Sequence, residues 1–325
     1  MYVVTGGAGF IGSNVVAELA GRGSDVVVCD WLREDERWRN LAKHAVADLI
    51  PPDALLFWLE QNRHDLEAIV HLGAISSTTE ADVELIVRNN VRATLDLVEW
   101  CTDAGKPLIY ASSAATYGDG SAGFDDAPEA LATLRPLNAY GWSKHFVDRR
   151  IARLAQQGRA LPPQWVGLKF FNVYGPNEYH KGGMRSVIAQ NFERVRRGEA
   201  VRLFRSQRPD YADGGQLRDF LYVKDCVAVI SWLLRNPAVC GLFNVGTGAA
   251  RSWLDLANAL FAAANQAPRI EFIDMPPQLL EKYQYFTQAR MDRLRSAGYA
   301  QPFTSLEDGI TDYVRQYLSQ VDPYR

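Results

Sequence analysis

The 325-residue chain reads as an α/β protein, a doubly wound parallel sheet followed by a smaller α/β C-terminal domain. Three observations carry this reading. Short apolar, β-branched runs alternate with helical stretches through the first half of the chain. A glycine-rich run from Gly6 to Gly12 joins the first of those runs directly to a helical stretch. Beyond Asn172 the alternation loosens into loops rich in Asp, Gly, Pro and Arg.

Taken in order, strands are expected at Tyr2 to Thr5, Asp25 to Cys29, Ala68 to Leu72, Pro107 to Ala111 and Trp165 to Phe170. Helices are expected between them at Ile11 to Gly21, Val83 to Ala104 and Tyr140 to Gln157. Gly175-Pro176, Gly182-Gly183 and the stretch Ser206 to Gly215 read as loops. Further helices are expected near Arg185 to Arg197, Val223 to Leu234, Ser252 to Asn265 and Ser305 to Leu318, with short strands around Val201, Phe243 and Ile270.

Composition narrows the function classes. A hydrophobic content of 47% with 22% charged residues describes a soluble globular protein with a sizeable core. A net charge of −3 gives no global attraction to nucleic acid or to an anionic membrane. No apolar run approaches the roughly 18 residues needed to span a bilayer, and a strand starting at Tyr2 leaves no room for a signal peptide. Cys29, Cys101, Cys226 and Cys240 lie far apart without CxxC or Cys/His ligand spacing. Reduced thiols in a cytoplasmic protein are expected, and no metal site.

Gly6, Gly9 and Gly12 follow the first strand and open a helix. Such a loop lets the backbone turn tightly and approach a pyrophosphate, which rests on the helix N-terminus. Residues 1–172 therefore read as a Rossmann-type dinucleotide-binding domain. Residues 173–325 read mainly as a substrate-binding domain, with a segment near 220–250 returning to the first. Asp30 ends the second strand, where an acid bonds the adenosine ribose and argues for NAD. Arg33, Arg37 and Arg39 follow at once, and an arginine there can hold a 2′-phosphate and favour NADP. The alternative is a set of solvated charges. His71-Leu72-Gly73-Ala74 suits close passage of the backbone beside a cofactor, His71 itself reading as a packed histidine.

Tyr140 and Lys144 stand four residues apart in YGWSK. At that spacing the two share one helix face, and the ammonium is expected to lower the phenol's pKa from its ordinary value of about 10. The pair can then take a proton from a substrate hydroxyl while a nicotinamide takes the hydride. An ordinary exposed pair is the bland alternative, and the glycine loop upstream argues against it.

With the strand-end pair Ser112-Ser113 and Phe171-Asn172-Val173-Tyr174-Gly175-Pro176 also in order, nearly the whole chain resembles the extended short-chain dehydrogenases/reductases that act on nucleotide sugars. Local strings resemble one family among them, the ADP-L-glycero-D-manno-heptose 6-epimerases: Ser76-Ser77-Thr78-Thr79-Glu80, Tyr110 to Gly118, His180-Lys181-Gly182 and Tyr283 to Gln288. The resemblance implies that Ser113 bonds the reacting oxygen, that Tyr140 is one acid/base and Lys181 a second, and that Lys144 contacts the nicotinamide ribose. It implies cofactor contacts at Phe10, Ile11, Asp30, Trp31, Arg37, Leu72, Gly73, Ala74, Ile75, Ser76, Asn89, Lys144, Val173 and Lys181. Substrate contacts would fall at Asn172, Gly183, Gln190, Phe204, Arg205, Ser206, Gln207, Arg218 and Tyr283. NADP is the expected cofactor, with NAD left open. An ADP-heptose is the expected substrate. A cytoplasmic homo-oligomer, with a pentamer as the expected count, and a role in supplying heptose to the lipopolysaccharide inner core are implied as well.

Some positions depart from that family. Trp31 replaces an asparagine, Gly183 a serine and Gln190 a histidine, and the segment Gln207 to Leu217 is longer. Arg202, Arg205, Arg208 and Arg218 suit a diphosphate, although solvated loop charges would explain one or two of them. Without the resemblance, His180-Lys181-Gly182-Gly183 would read as an exposed loop. A sugar 4-epimerase or 4-reductase remains the nearest rival and would manage with a single tyrosine. A 4,6-dehydratase is disfavoured, because Ala114-Ala115 occupy the place of its Asp-Glu pair. A non-catalytic cofactor-binding scaffold is the remote alternative; the presence of Tyr140 and Lys144 argues against it.

Overall fold

Val3 and Val4 project to opposite faces of strand β1 (Tyr2–Thr5), and both are fully buried. The same two-sided burial recurs along β2 (Val26–Cys29), β4 (Ala68–His71) and β5 (Leu108–Ser113), the signature of a parallel sheet covered by helices on both faces. A short β3 (Asp48–Ile50) precedes β4. Downstream come β6 (Trp165–Phe170), β7 (Asn172–Tyr174), β8 (Val201–Phe204), β9 (Leu217–Tyr222) and β10 (Gly241–Val245). The computed structural model describes residues 1–277 and 283–325.

Seven strands form one parallel sheet in the order β10-β6-β5-β4-β1-β2-β3. The chain reverses direction across the sheet between β1 and β4. That switch point leaves a crevice at the strand C-termini, the place where open α/β sheets bind ligands. One core layer contains Val3, Val27, Ile69 and Tyr110, and the opposite layer contains Val4, Val28, Val70 and Ile109. Truncating a fully buried member such as Ile69 to alanine costs about 2–5 kcal/mol.

Helices α1 (Phe10–Gly21) and α7 (Val223–Leu234) contribute Val15, Val16, Leu19, Val229, Ile230 and Leu233 to the second layer. Two smaller sheets lie beyond it. In one, β9 pairs parallel with β7 and antiparallel with β11 (Ala250–Ser252); in the other, β12 (Ile270–Ile273) pairs parallel with β8. A third apolar cluster joins them to α6 (Val187–Arg196), α8 (Trp253–Ala263) and the helix Leu306–Tyr313. A capping box between Ser252 and Asp255 sets the start of α8.

Several elements differ from the sequence expectation. β3 has three residues, two of them exposed, so neither length nor an apolar run announced it. The helix expected over Val83 to Ala104 does begin at Val83, where the Asp82 side chain caps it by accepting from the Leu85 nitrogen, but after α3 (Val83–Ile86) it passes through a π-helical segment, Val87–Arg92, before α4 (Ala93–Ala104). A second π segment, Val314–Leu318, follows Tyr313. Such single-turn expansions keep the apolar stripe and leave no periodic signature. The strand around Phe243 is β10, an edge of the main sheet beside β6, while those near Val201 and Ile270 pair with each other.

Candidate active site

The glycine run occupies the turn from β1 into α1 at the switch point. Gly6 has φ +65°, and a Cβ there would lie 2.6 Å from the Gly73 nitrogen. Gly12 is packed so closely that a Cβ would collide with the Gly6 carbonyl. The loop thus presses two backbone segments together and leaves room for nothing but glycine at those points. Gly9 is the N-cap of α1 and brings no side chain to the first-turn N–H groups, which suits an anion at that end.

Asp30, just past β2, accepts hydrogen bonds from the Ala8 nitrogen at 3.0 Å and from the Trp31 nitrogen at 2.8 Å. Burial raises its pKa, opposed by Arg37 and by the backbone N–H groups of Ala8, Trp31 and Gly9. Arg37 lies 3.8 Å from Asp30 and is forked onto Asp35, with Nε and Nη2 donating at 2.8 and 2.6 Å. Arg33 is exposed, with φ +53°, and lines the same cavity. Arg39 pairs with Glu36 and lies over the Tyr324 ring, away from Asp30's carboxylate.

His71 is the packed histidine that was expected. Its ring bridges Thr5 Oγ1 at 2.6 Å and Thr94 Oγ1 at 2.9 Å, and burial depresses its pKa to about 3, with Lys144 adding to the effect. The loop after β4 is held by Asn90 in the π segment, whose amide accepts from the Ile75 nitrogen and donates to the Ile75 oxygen. Asn90 also donates to Ser143, whose hydroxyl donates to the Tyr140 carbonyl. A polar chain thereby links the cofactor-side loop to helix α5 (Ala139–Gln156).

Asn138 caps α5 by accepting from the Gly141 nitrogen at 2.8 Å, so Tyr140 sits in the first turn and Lys144 one turn on. The Ser113 hydroxyl hydrogen-bonds the Tyr140 phenol, and this bond pulls the phenol's pKa down. Burial nevertheless wins and raises it, with the Asp148 carboxylate acting in the same direction. The expected lowering by Lys144 is therefore not what the enclosed site gives. Lys144 is itself brought down by burial to about 8, with Asp148 opposing, so less of its charge is available to Tyr140.

Lys181 lies in a 3₁₀ segment, Tyr179–Met184, between β7 and α6. Its ammonium lies 5.2 Å from the centre of the Phe10 ring. Burial lowers its pKa and the Glu178 carboxylate raises it. Glu178 is buried and accepts from the Ser186 hydroxyl at 2.6 Å and the Ser186 nitrogen at 2.5 Å, fixing both ends of the segment.

One cleft of about 530 Å³ gathers these groups: Ser113, Tyr140, Lys144 and Lys181 line it together with Gly6, Gly9, Phe10, Ile11, Gly12, Asp30, Arg37, the run Leu72 to Ser76, and Val173. Trp31 and Asn89 line an adjoining cavity of about 190 Å³ beneath Asp30. The uncapped end of α1 could hold a pyrophosphate, and the groups near Asp30 and Tyr140 could hold the two ends of a dinucleotide.

The residues expected to hold substrate lie outside that cleft. Asn172 is exposed on β7, and Gln190 donates to the carbonyls of Gly183 and Arg185, so it fixes the Lys181 loop. Phe204 and Tyr283 rings pack edge to face, and Arg218 stands over the rings of Tyr283 and Trp253. Arg202, Arg205 and Arg208 are exposed and paired with Glu271, Asp213 and Asp210. Ser206 and Gln207 donate their backbone N–H groups to Asp213 and Tyr285. Arg218 is buried and, among the described residues, bonds carbonyl oxygens and no carboxylate. It is the member of the arginine group best suited to an incoming anion.

Sequence reasoning passed over Asn40, Asn90, Asp148, Lys169 and Glu178. A lone lysine in the apolar run VGLKFF was the readable signal for Lys169, and an acid four residues past Lys144 was the signal for Asp148. Asn40 gave none; its buried amide donates to the Ala8 and Asn177 carbonyls and ties the glycine loop to the Lys181 segment.

Residues 2–246 match the NAD dependent epimerase/dehydratase family. The chain is 52% identical over 327 residues, spanning all of both chains, to an ADP-L-glycero-D-manno-heptose-6-epimerase of Nitratidesulfovibrio vulgaris. The fold is similar to that of the Helicobacter pylori ADP-L-glycero-D-manno-heptose-6-epimerase, with a TM-score of 0.79 and 28% identity over 97% of this chain and 95% of that one. It is also similar to the Thermus thermophilus UDP-glucose 4-epimerase in complex with NAD, with a TM-score of 0.73 and 28% identity over 96% and 97%.

Proposed function

The chain belongs to the NAD dependent epimerase/dehydratase family, and from that premise we propose that it inverts carbon 6 of the heptose in ADP-D-glycero-D-manno-heptose, giving ADP-L-glycero-D-manno-heptose. Full-length identity of 52% to an enzyme of that name supports the substrate. The observation that carries the mechanism is the entry of Lys181 into the same cleft as Ser113, Tyr140 and Lys144.

Carbon 6 is a secondary carbinol with no neighbouring carbonyl to acidify its hydrogen, so inversion needs a transient 6-keto sugar whose other face is then reduced. When bound in the cleft, a nicotinamide would supply the acceptor, and then the donor, of the carbon-6 hydride. Ser113 orients the reacting oxygen and Tyr140 exchanges its proton. After the ketone turns over, the oxygen no longer faces Tyr140, and Lys181 serves as the second proton-transfer group. Its burial beside Phe10 favours a neutral amine more than water does, which suits that task. Lys144 would hold the nicotinamide ribose.

The cofactor is NADP on this reading, with Arg33 and Arg37 meeting a 2′-phosphate and Asp30 the ribose side. Because oxidation and reduction alternate within one turnover, the cofactor stays bound. Residues 1–172 and the returning β10 form the cofactor-binding domain; the remainder of 173–325 binds sugar and diphosphate, with Arg218 and Tyr283 central. A cytoplasmic homo-oligomer supplying heptose for the lipopolysaccharide inner core completes the proposal.

Incubating the purified protein with ADP-D-glycero-D-manno-heptose, without added cofactor, and following the sugar by NMR tests the function. A mixture of carbon-6 epimers, with NADP released on denaturation, is expected. An unchanged sugar, even with NADP supplied, would favour a 4-epimerase or 4-reductase of another nucleotide sugar.

A further inference from the structure

One buried ion pair lies outside the cleft, against the wall that carries Tyr140. Lys169 Nζ is 2.6 Å from Asp148 Oδ2, and both side chains are 0% exposed. Replacing such a pair with apolar side chains is often neutral or stabilising, so stability alone is a weak reason for it.

Its connections supply a stronger one. Asp148 lies one turn beyond Lys144 and two beyond Tyr140 on the same face of α5. Its carboxylate accepts from the Ser112 hydroxyl at 2.6 Å and the Tyr110 hydroxyl at 3.2 Å, both on β5. Lys169, on β6, also donates to Thr116 Oγ1 at 2.8 Å, and the Thr116 hydroxyl donates to the Ser113 carbonyl at 2.8 Å. Both members of the pair therefore grip the Ser112-Ser113 end of β5, and one of them is fixed to the helix that carries Tyr140 and Lys144.

We propose that Asp148 and Lys169 are a positioning pair for the reaction, holding Ser113 against Tyr140 and setting the charge balance behind Lys144 without touching substrate. This rests on the reading of Tyr140 and Lys144 as reaction groups. The groups around the pair are Tyr110 and Ser112 on β5, Thr116 and Tyr117 in the following turn, and Tyr140, Lys144 and His145 on α5, with Arg149 and Arg135 beyond His145. Burial holds Tyr110 and Tyr117 protonated, and it holds His145 neutral by lowering it to about 4, with Lys169 adding to the effect. Lys144, brought by burial to about 8 and opposed by Asp148, is the neighbour whose charge responds near neutrality.

The test measures kcat, KM and the pH profile of epimerisation in the full-length protein. Asp148→Asn removes a charge that raises both Lys144 and Tyr140, so kcat should fall about tenfold and the profile should move toward acid by about one unit, with KM little changed. Lys169→Met leaves the carboxylate unbalanced and should move the profile toward alkali, while Lys169→Arg should restore the wild-type profile. If a single variant fails to fold, the double variant Asp148→Asn/Lys169→Met presents a neutral pair and should keep a lowered kcat with a profile between the two. Wild-type kcat and pH profiles in the folded variants, with changes in thermal stability alone, would overturn the proposal. Tyr140→Phe is assayed in parallel. Turnover surviving there overturns the site reading and this inference with it; turnover lost there beside unshifted profiles in the pair variants overturns this inference alone.

Discussion

The ammonium of Lys181 lies 5.2 Å from the centre of the Phe10 ring, so the segment after β7 closes on the first turn of the glycine-loop helix. A residue on one side of residue 172 thus meets the cofactor loop on the other, and both line the cleft that holds Tyr140. Lys181→Met keeps the stem and removes the proton-transfer group. Epimerisation should fall about 100-fold or more while the fold and the co-purifying nucleotide are retained. Steady-state kinetics beside absorbance of the released nucleotide checks this; near-normal turnover would remove the two-base scheme.

His71 gives a pH signature. Folded, it is depressed from 6.5 to about 3; unfolded, it titrates at its ordinary value. Below pH 6.5 the unfolded chain therefore binds a proton that the folded chain refuses. Stability from this group is full above pH 6.5 and is lost as pH falls toward 3, by up to about 5 kcal/mol. Urea denaturation from pH 7 to pH 4 should show a flatter decline in His71→Asn than in wild type. Parallel declines would contradict the assignment.

Much of this arrangement was legible because two strong local codes coincide. The turn from Gly6 to Gly12 and the helical pair Tyr140 and Lys144 specify their own backbone geometry, and they lie in the structure where the alternating strands lead. The polar framework behind them was not legible. Asn40 and Asn90 act through backbone groups 32 and 15 residues away, and Glu178 bonds both the nitrogen and the hydroxyl of Ser186 across an irregular loop, so no helix or strand spacing announces them. The net shift of Tyr140 was misjudged in direction, because an i,i+4 rule for exposed helices leaves out the desolvation that dominates an enclosed site.

Gly6→Ala tests the cradle. The new methyl would lie 2.6 Å from the Gly73 nitrogen, in a conformation with φ +65°. The variant should lose at least about 2 kcal/mol of stability and purify with little nucleotide. Wild-type melting together with full nucleotide content would contradict the close approach.

Arg37 should discriminate between cofactors. Its guanidinium is forked onto Asp35 and lies 3.8 Å from Asp30, so it can offer a charge to a 2′-phosphate beside the ribose site. Arg37→Ala should weaken NADP binding about tenfold more than NAD binding. Titration of protein stripped of nucleotide checks the ratio, and equal losses for the two would contradict the NADP assignment.

The most direct test of the central claim is to run the epimerisation of ADP-D-glycero-D-manno-heptose to equilibrium in D₂O and read carbon 6 by NMR. Transient oxidation with return of the same hydrogen gives inverted product with no deuterium at carbon 6. Deuterium at that carbon would mean that the hydrogen leaves as a proton and comes back from solvent, and the oxidation–reduction scheme built on Tyr140, Lys144 and Lys181 would be wrong.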